Sequence, residues 1–200
     1  EKVVQSYAAS ITFADAMLGR LLDAFESSDY KHNTIVVLWS DHGMHMGEKE
    51  NIEKFTLWER STRVPLIVSV PGITEAGASS NQPVSLMDLY PTLVDLAGFN
   101  PPSHLDGTSL VPQLNDPDVE TPPVVTSYQF SWTDEPVVGH AVRSKRYRYI
   151  YYPDINLEEL YDHEKDSNEW DNLAQNGKFT DVLKRFRKQL PKVNAPDAPT

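Results

Sequence analysis

Thr34-Ile35-Val36-Val37-Leu38-Trp39 is an apolar run without polar alternation, and it restricts the fold more than any other feature of the chain. A strand with one face in water alternates, whereas an unbroken apolar strand asks for cover on both faces, as in a parallel sheet between helices. A helix precedes it. From Val3 to Phe25 apolar residues fall at Val4, Tyr7, Ala8, Ile11, Ala14, Leu18, Leu21, Leu22 and Phe25, one stripe of helical period that should cover a neighbouring layer. Turn-forming Ser27-Ser28-Asp29 and His32-Asn33 separate the two. A second apolar strand, Val64-Pro65-Leu66-Ile67-Val68-Ser69-Val70, ends at Pro71-Gly72, and the polar stretch from Ser40 to Arg63 joins the strands. Helix followed by buried strand reads as α/β, and a loop of that length in such a fold is usually functional or disordered.

The pattern then changes. Val84-Ser85-Leu86 is expected as a short strand, and Asp88 as the N-cap of a helix running to Ala97, with Pro91 in its first turn and Gly98 past its end. The Pro-rich, acidic stretch from Pro112 to Pro123 reads as a linker. After it, Val124 to Phe130, His140 to Ser144 and Tyr147 to Tyr152 are expected as strands of an antiparallel sheet. A helix from Thr180 to Leu190 and a Pro-rich tail end the chain. We therefore divide it into an α/β part, residues 1–121, and a small α+β subdomain, residues 122–200.

Two hundred residues suffice for one ample core, or one core and a satellite. The formal charge of -11 repels phosphate backbones and anionic lipid, which argues against nucleic acid and membrane as partners. No apolar run approaches the roughly 20 residues that span a bilayer. The chain has no cysteine, so disulfides, zinc-thiolate sites and cysteine-derived nucleophiles are excluded within it. It opens at Glu1 without an initiator Met or a signal segment, which reads as a fragment.

Asp41-His42-Gly43 follows directly on the first buried strand, at the edge where open α/β sheets bind ligands. A carboxylate beside an imidazole can furnish part of a divalent-metal shell, or simply make an Asx-type turn. The residues alone leave both open.

The set Ser40-Asp41-His42-Gly43, Gly47-Glu48, Lys54 and Arg63-Val64-Pro65-Leu66-Ile67 resembles the core of the type I sulfatases, formylglycine-dependent enzymes of the alkaline-phosphatase superfamily. Val84 to Leu93, Leu96-Ala97-Gly98, Asp106 to Leu110, Ala141-Val142-Arg143, Glu159 to Asp162, Asp166, Glu169 and Asn172-Leu173-Ala174 extend that resemblance in order over residues 1 to 175. The pattern is similar to bacterial iduronate-2-sulfatase-like and polysaccharide sulfatases. It implies the C-terminal part of an alkaline-phosphatase-like mixed or parallel sheet, with Asp41 and His42 as ligands of one calcium ion and Lys54 on the sulfate ester oxygens. His140 and Arg143 are implied as contacts to a sulfated carbohydrate. Lys49 stands where many relatives carry His, so it inherits no catalytic role.

His45, Trp58 and Arg63 flank the same loop, and for Trp58 core packing is favoured over sugar stacking. Lys145, Arg146 and Arg148 read as a solvated strand face, and Tyr147, Tyr149 and Tyr151 as a packing row. No segment matches the Cys/Ser-x-Pro/Ala-x-Arg motif that yields formylglycine. The resemblance thus implies an N-terminal part of the same sulfatase as partner, an isolated chain that is inactive, and a periplasmic or secreted parent. The alternatives are a phosphoester or phosphonate hydrolase of the same superfamily, or a non-catalytic carbohydrate-binding module that keeps the fold.

Overall fold

The computed structural model describes residues 2–130 and 137–192. Helix α1 (Lys2–Glu26) ends where Ser28 Oγ turns back to donate to the Phe25 carbonyl at 2.7 Å. It carries the expected apolar stripe, yet none of its residues is buried. Among the described residues nothing covers Val4, Ile11 or Leu21, which are exposed.

Strand β1 (Val36–Trp39) leads through a short hairpin, β2 (His45–Met46) with β3 (Ile52–Glu53), and a single helical turn, α2 (Glu59–Thr62), to β4 (Leu66–Ser69). Here the structure departs from the expected parallel, doubly covered pair: β1 and β4 are antiparallel to each other, with Val36 opposite Ser69 and Trp39 opposite Leu66. Trp39 and Ile67 are each more than half exposed. An apolar run states that both faces want cover but carries no information on the direction of its neighbour.

The strand expected at Val84 to Leu86 is instead the entry to a one-turn 3-10 helix (Leu86–Asp88). Ser85 Oγ accepts from Met87 N at 3.2 Å while Asp88 Oδ2 accepts from Ser85 N at 2.8 Å, a reciprocal cap that outweighs the weak extended preference of three residues. Asp88 therefore does not cap α3 (Leu89–Leu96) with its side chain. Its second oxygen accepts from Thr108 N at 2.9 Å and draws in the Asp106-Gly107-Thr108 segment, where a Cβ on Gly107 would lie 2.1 Å from the Met87 carbonyl oxygen. Gly98, at φ +78, follows the end of α3 as expected.

The supposed linker contains α4 (Val111–Asn115) and is tied to the preceding part by Ser80 Oγ to Pro117 O at 2.7 Å and Thr121 Oγ1 to Pro83 O at 2.8 Å. Beyond it, β5 (Val124–Phe130), β6 (Val137–Arg143), β7 (Tyr147–Tyr152) and β8 (Leu157–Asp162) form an antiparallel sheet in sequence order. The last strand was not foreseen, because Leu-Glu-Glu-Leu-Tyr-Asp reads as polar until its partners are known. One sheet face, with Val142, Tyr149 and Leu160, packs on α5 (Thr180–Arg187), where Phe186 stacks on Tyr149 at 6.1 Å. The other face, with Ala141, Ile150 and Tyr161, closes over Leu57. Through Leu57 the segment between β3 and α2 is pressed onto the second sheet. Most of the Pro-rich tail lies outside the described residues.

Candidate active site

The loop leaving β1 is folded by its own polar groups. Ser40 Oγ donates to the His42 carbonyl at 2.9 Å, and Gly43 N donates to the Ser61 carbonyl at 2.8 Å. A Cβ on Gly43 would lie 2.0 Å from the Arg60 carbonyl oxygen, so only glycine lets the loop reach α2. His42 Nδ1 donates to the Gly43 carbonyl at 2.7 Å, which fixes the proton on that nitrogen and leaves the Nε2 lone pair outward. Asp41 Oδ2 lies 3.5 Å from Nε2, and Lys54 Nζ donates to Nε2 at 2.8 Å. The structure thus brings together Asp41, His42 and Lys54. One hard oxygen and one imidazole lone pair on the same side are a donor pair that fits a divalent cation.

Lys54 is delivered by the hairpin, which is anchored at two points. His45 is fully buried: Nδ1 donates to the Glu48 carbonyl at 3.2 Å, Nε2 accepts from Thr56 Oγ1 at 2.9 Å, and burial pushes its pKa below the ordinary value. Lys49, in the left-handed region at φ +53, donates to Tyr161 OH at 3.0 Å and to the Glu169 carbonyl at 2.6 Å. Its ammonium lies over the rings of Trp58 and Tyr161 at 4.3 and 4.5 Å. Burial pushes Lys49 down as well. Trp58 Nε1 donates to Glu159 Oε2 at 2.7 Å, so this ring is packed and hydrogen-bonded.

His140 and Arg143 are placed elsewhere. Alternation along β6 puts His140 on the face shared by Val142, away from Leu57, where it is buried and its Nδ1 lies 2.8 Å from Ser127 Oγ. Arg143 is on the Leu57 face but is committed to Glu59, with Nε donating to Oε2 at 3.1 Å. Beside it opens a cavity of about 490 Å³ that Arg63 and Lys145 also line.

Arg148 corrects the solvated-face reading of its neighbourhood. It is buried, its Nη1 donates to the Leu57 carbonyl at 3.0 Å, its Nη2 pairs with Glu59, and its Nε lies 2.7 Å from Glu169 Oε1 as an ion pair. The Nε–H is not aimed at that oxygen well enough for a hydrogen bond. Arg146 pairs with Asp162 at 2.7 Å, and Lys145 is the exposed member of the three. His163 accepts from Arg143 Nη2 at 3.1 Å through Nδ1 and donates to Glu169 Oε1 at 2.9 Å through Nε2. Burial pushes the Glu59 carboxyl up, but the adjoining Arg148 and Arg143 guanidiniums outweigh it and hold the pKa at about 2. Glu59, His163 and Glu169 approach one another closely enough to share an ion. Their charges are already balanced by the two guanidiniums, so this cluster fits a structural ion network better than a cation site.

In the sequence, Glu159 and Glu169 stand only as landmarks of the resemblance. The alternation on β7 held the missing signal, since Arg148 stands between two packed tyrosines and must face the other buried side.

Residues 1–99 match the sulfatase family model. A sulfatase of Formosa agariphila is 39% identical over 196 residues, covering 98% of this chain and 37% of that protein. The chain belongs to the sulfatase family. A solved 2-O GAG sulfatase superposes with a TM-score of 0.75 at 35% identity, covering 84% of this chain and 37% of its own. A phosphonate monoester hydrolase of Agrobacterium radiobacter does so at 0.75 with 26% identity, covering 88% of this chain and 38% of its own. This sulfatase-family chain spans well under half the length of the curated relatives it matches. Among the described residues, no helix is long and apolar enough to cross a membrane.

Proposed function

We propose that this chain is the C-terminal part of a sulfatase that hydrolyses sulfate esters of carbohydrates, working with an N-terminal part of the same protein. The observation that carries this reading is the convergence of Asp41, His42 and Lys54 at the end of β1 in a chain of this family. Asp41 and His42 hold a divalent ion, calcium by the resemblance, which when bound neutralises charge on ester oxygens. Formylglycine, the nucleophile, comes from the N-terminal part.

The residues of this chain then have distinct tasks. The Gly43 carbonyl orients His42 so that Nε2 remains a ligand atom. With Nε2 engaged as a ligand, Lys54, which now shares that lone pair, would be free to turn to an anion. Lys54 supplies a positioned positive charge where negative charge grows on the sulfuryl oxygens and the leaving alcohol. The 2-O GAG sulfatase likeness supports a carbohydrate ester, and the family supports a periplasmic or secreted location. The phosphonate hydrolase likeness keeps one rival in view, because the fold is shared by both chemistries.

Metal analysis and turnover of the full-length protein test this reading. We expect about one divalent ion per chain, lost in the Asp41→Ala/His42→Ala double variant, and hydrolysis of sulfate esters well above that of phosphonate monoesters. An undiminished ion in the double variant would sink the ligand assignment; the opposite preference would move the chain to the rival chemistry.

A further inference from the structure

Lys54 opens onto a row of aromatic rings contributed by both parts of the chain. Its ammonium is 5.7 Å from the ring centroid of the next residue, Phe55. That ring lies 6.0 Å from Tyr128 of β5 at an interplanar angle of 33°, so the two are tilted neighbours. Phe130 braces Tyr128 edge-on at 4.8 Å and 82°, and Tyr152 stands 5.9 Å beyond Phe130. The row is seated on Gly139: a Cβ there would lie 2.6 Å from Leu57 Cδ1 and 2.9 Å from Tyr152 Cε1. Phe55 remains 39% exposed, and Tyr128 is partly buried.

Resting on the sulfatase reading above, we propose that Phe55 and Tyr128 are the stacking subsite for the sugar ring whose sulfate Lys54 receives. Such a ligand has two unlike ends. Its sulfate needs a cation, which Lys54 supplies, and its ring presents a face of polarised C–H groups that suits the negative face of an aromatic ring. Trp58 is bonded to Glu159, with the Lys49 ammonium over its ring. In a chain of charge -11, an uncharged aromatic surface also receives an acidic saccharide without the repulsion that carboxylates would impose.

The test uses the full-length protein, a panel of monosulfated hexosamines and sulfated hexuronate disaccharides, and methyl sulfate as a ligand with no ring. Phe55→Ala and Tyr128→Ala should each raise KM for the best saccharide by about tenfold more than for methyl sulfate, with the loss in KM rather than kcat. Phe55→Leu and Tyr128→Phe control for folding, and Tyr128→Phe, which keeps the ring, should recover most of the affinity that Tyr128→Ala loses. Equal losses on saccharide and methyl sulfate would overturn the subsite while leaving the sulfatase reading intact. So would a ring dependence seen only with a quaternary ammonium ester such as choline sulfate, which would assign the rings to a cation. A wild-type protein that hydrolyses no sulfate ester would remove the reading itself, and the subsite with it.

Discussion

The hydrogen bond from Lys54 Nζ to His42 Nε2 joins two residues that the sequence separates by a hairpin, and it ties the proposed sulfate contact to the proposed metal ligand. Lys54→Ala removes a positioned charge without leaving an unpaired buried group, because the side chain is only part-buried and His42 keeps its bond to Gly43. In the full-length protein we expect turnover of a sulfate ester to fall roughly 100-fold, as loss of one preorganised donor typically costs about 3 kcal/mol in the transition state. Steady-state kinetics with thermal unfolding as the control measure it. Turnover near wild type would return Lys54 to the role of an ordinary loop lysine. Lys49 is its counterpart in structure: a cation of the same hairpin spent on Tyr161, Trp58 and the Glu169 carbonyl, which accounts for its conspicuous place in the loop without any catalytic task.

Among the elements, α2 has a significance out of proportion to its four residues. Glu59 at its start reaches Arg143 of β6 and Arg148 of β7, while Glu59 N donates to Glu169 Oε2 at 2.8 Å. This couples the loop that carries Lys54 to the second sheet. Glu59→Gln leaves two largely buried guanidiniums short of charge, and removing one partner of such a pair costs about 3–5 kcal/mol. The same group sets a pH dependence. Its pKa is depressed in the folded state, from 4.5 to about 2, so its contribution is complete above the unfolded value and is lost as pH falls from about 4.5 to about 2. Denaturant titrations between pH 7 and pH 2 should show this acid limb in the wild type and a flatter one in Glu59→Gln. Equal slopes in the two proteins would show that Glu59 does not carry the linkage.

At the scale of the molecule, apolar surface is distributed unevenly. The second sheet has cores on both faces, whereas Val3, Ile11, Phe13 and Leu21 of α1, with Trp39 and Ile67 of β1 and β4, are exposed. A patch of that kind marks an interaction surface. Together with the absence of a formylglycine motif in residues 1–200, it leads to a joint expectation for this chain expressed alone: no hydrolysis of a chromogenic aryl sulfate even with calcium, and concentration-dependent association in sedimentation. Addition of the N-terminal part should restore activity and suppress association. Calcium-dependent hydrolysis by the lone chain would place the nucleophile within these residues and refute the division of the site.

Local pattern alone determined a good deal. Helical period located α1 and α5, the apolar run located β1, and the Tyr147–Tyr152 alternation located β7, because each depends on side chains a few residues apart. The ordered motifs singled out Asp41, His42 and Lys54. What the sequence left undecided depends on residues far apart in the chain. Strand polarity, with β1 antiparallel to β4, is not encoded in hydrophobicity. The 3-10 turn at Leu86 arose from a cap between Ser85 and Asp88 competing with a short strand. Strand β8 reads as polar because the burial of Glu159 and Asp162 depends on partners outside it, Trp58 and Arg146 among them. His140 and Arg143, both implied as carbohydrate contacts by the resemblance, are three residues apart, and the pleat sends them to opposite faces of the sheet. Arg148 looked solvated for the same reason: a strand with two buried faces can hold a charge only if tertiary structure supplies its partners, and here these come from α2 and the turn after β8, 89 and 21 residues away in sequence.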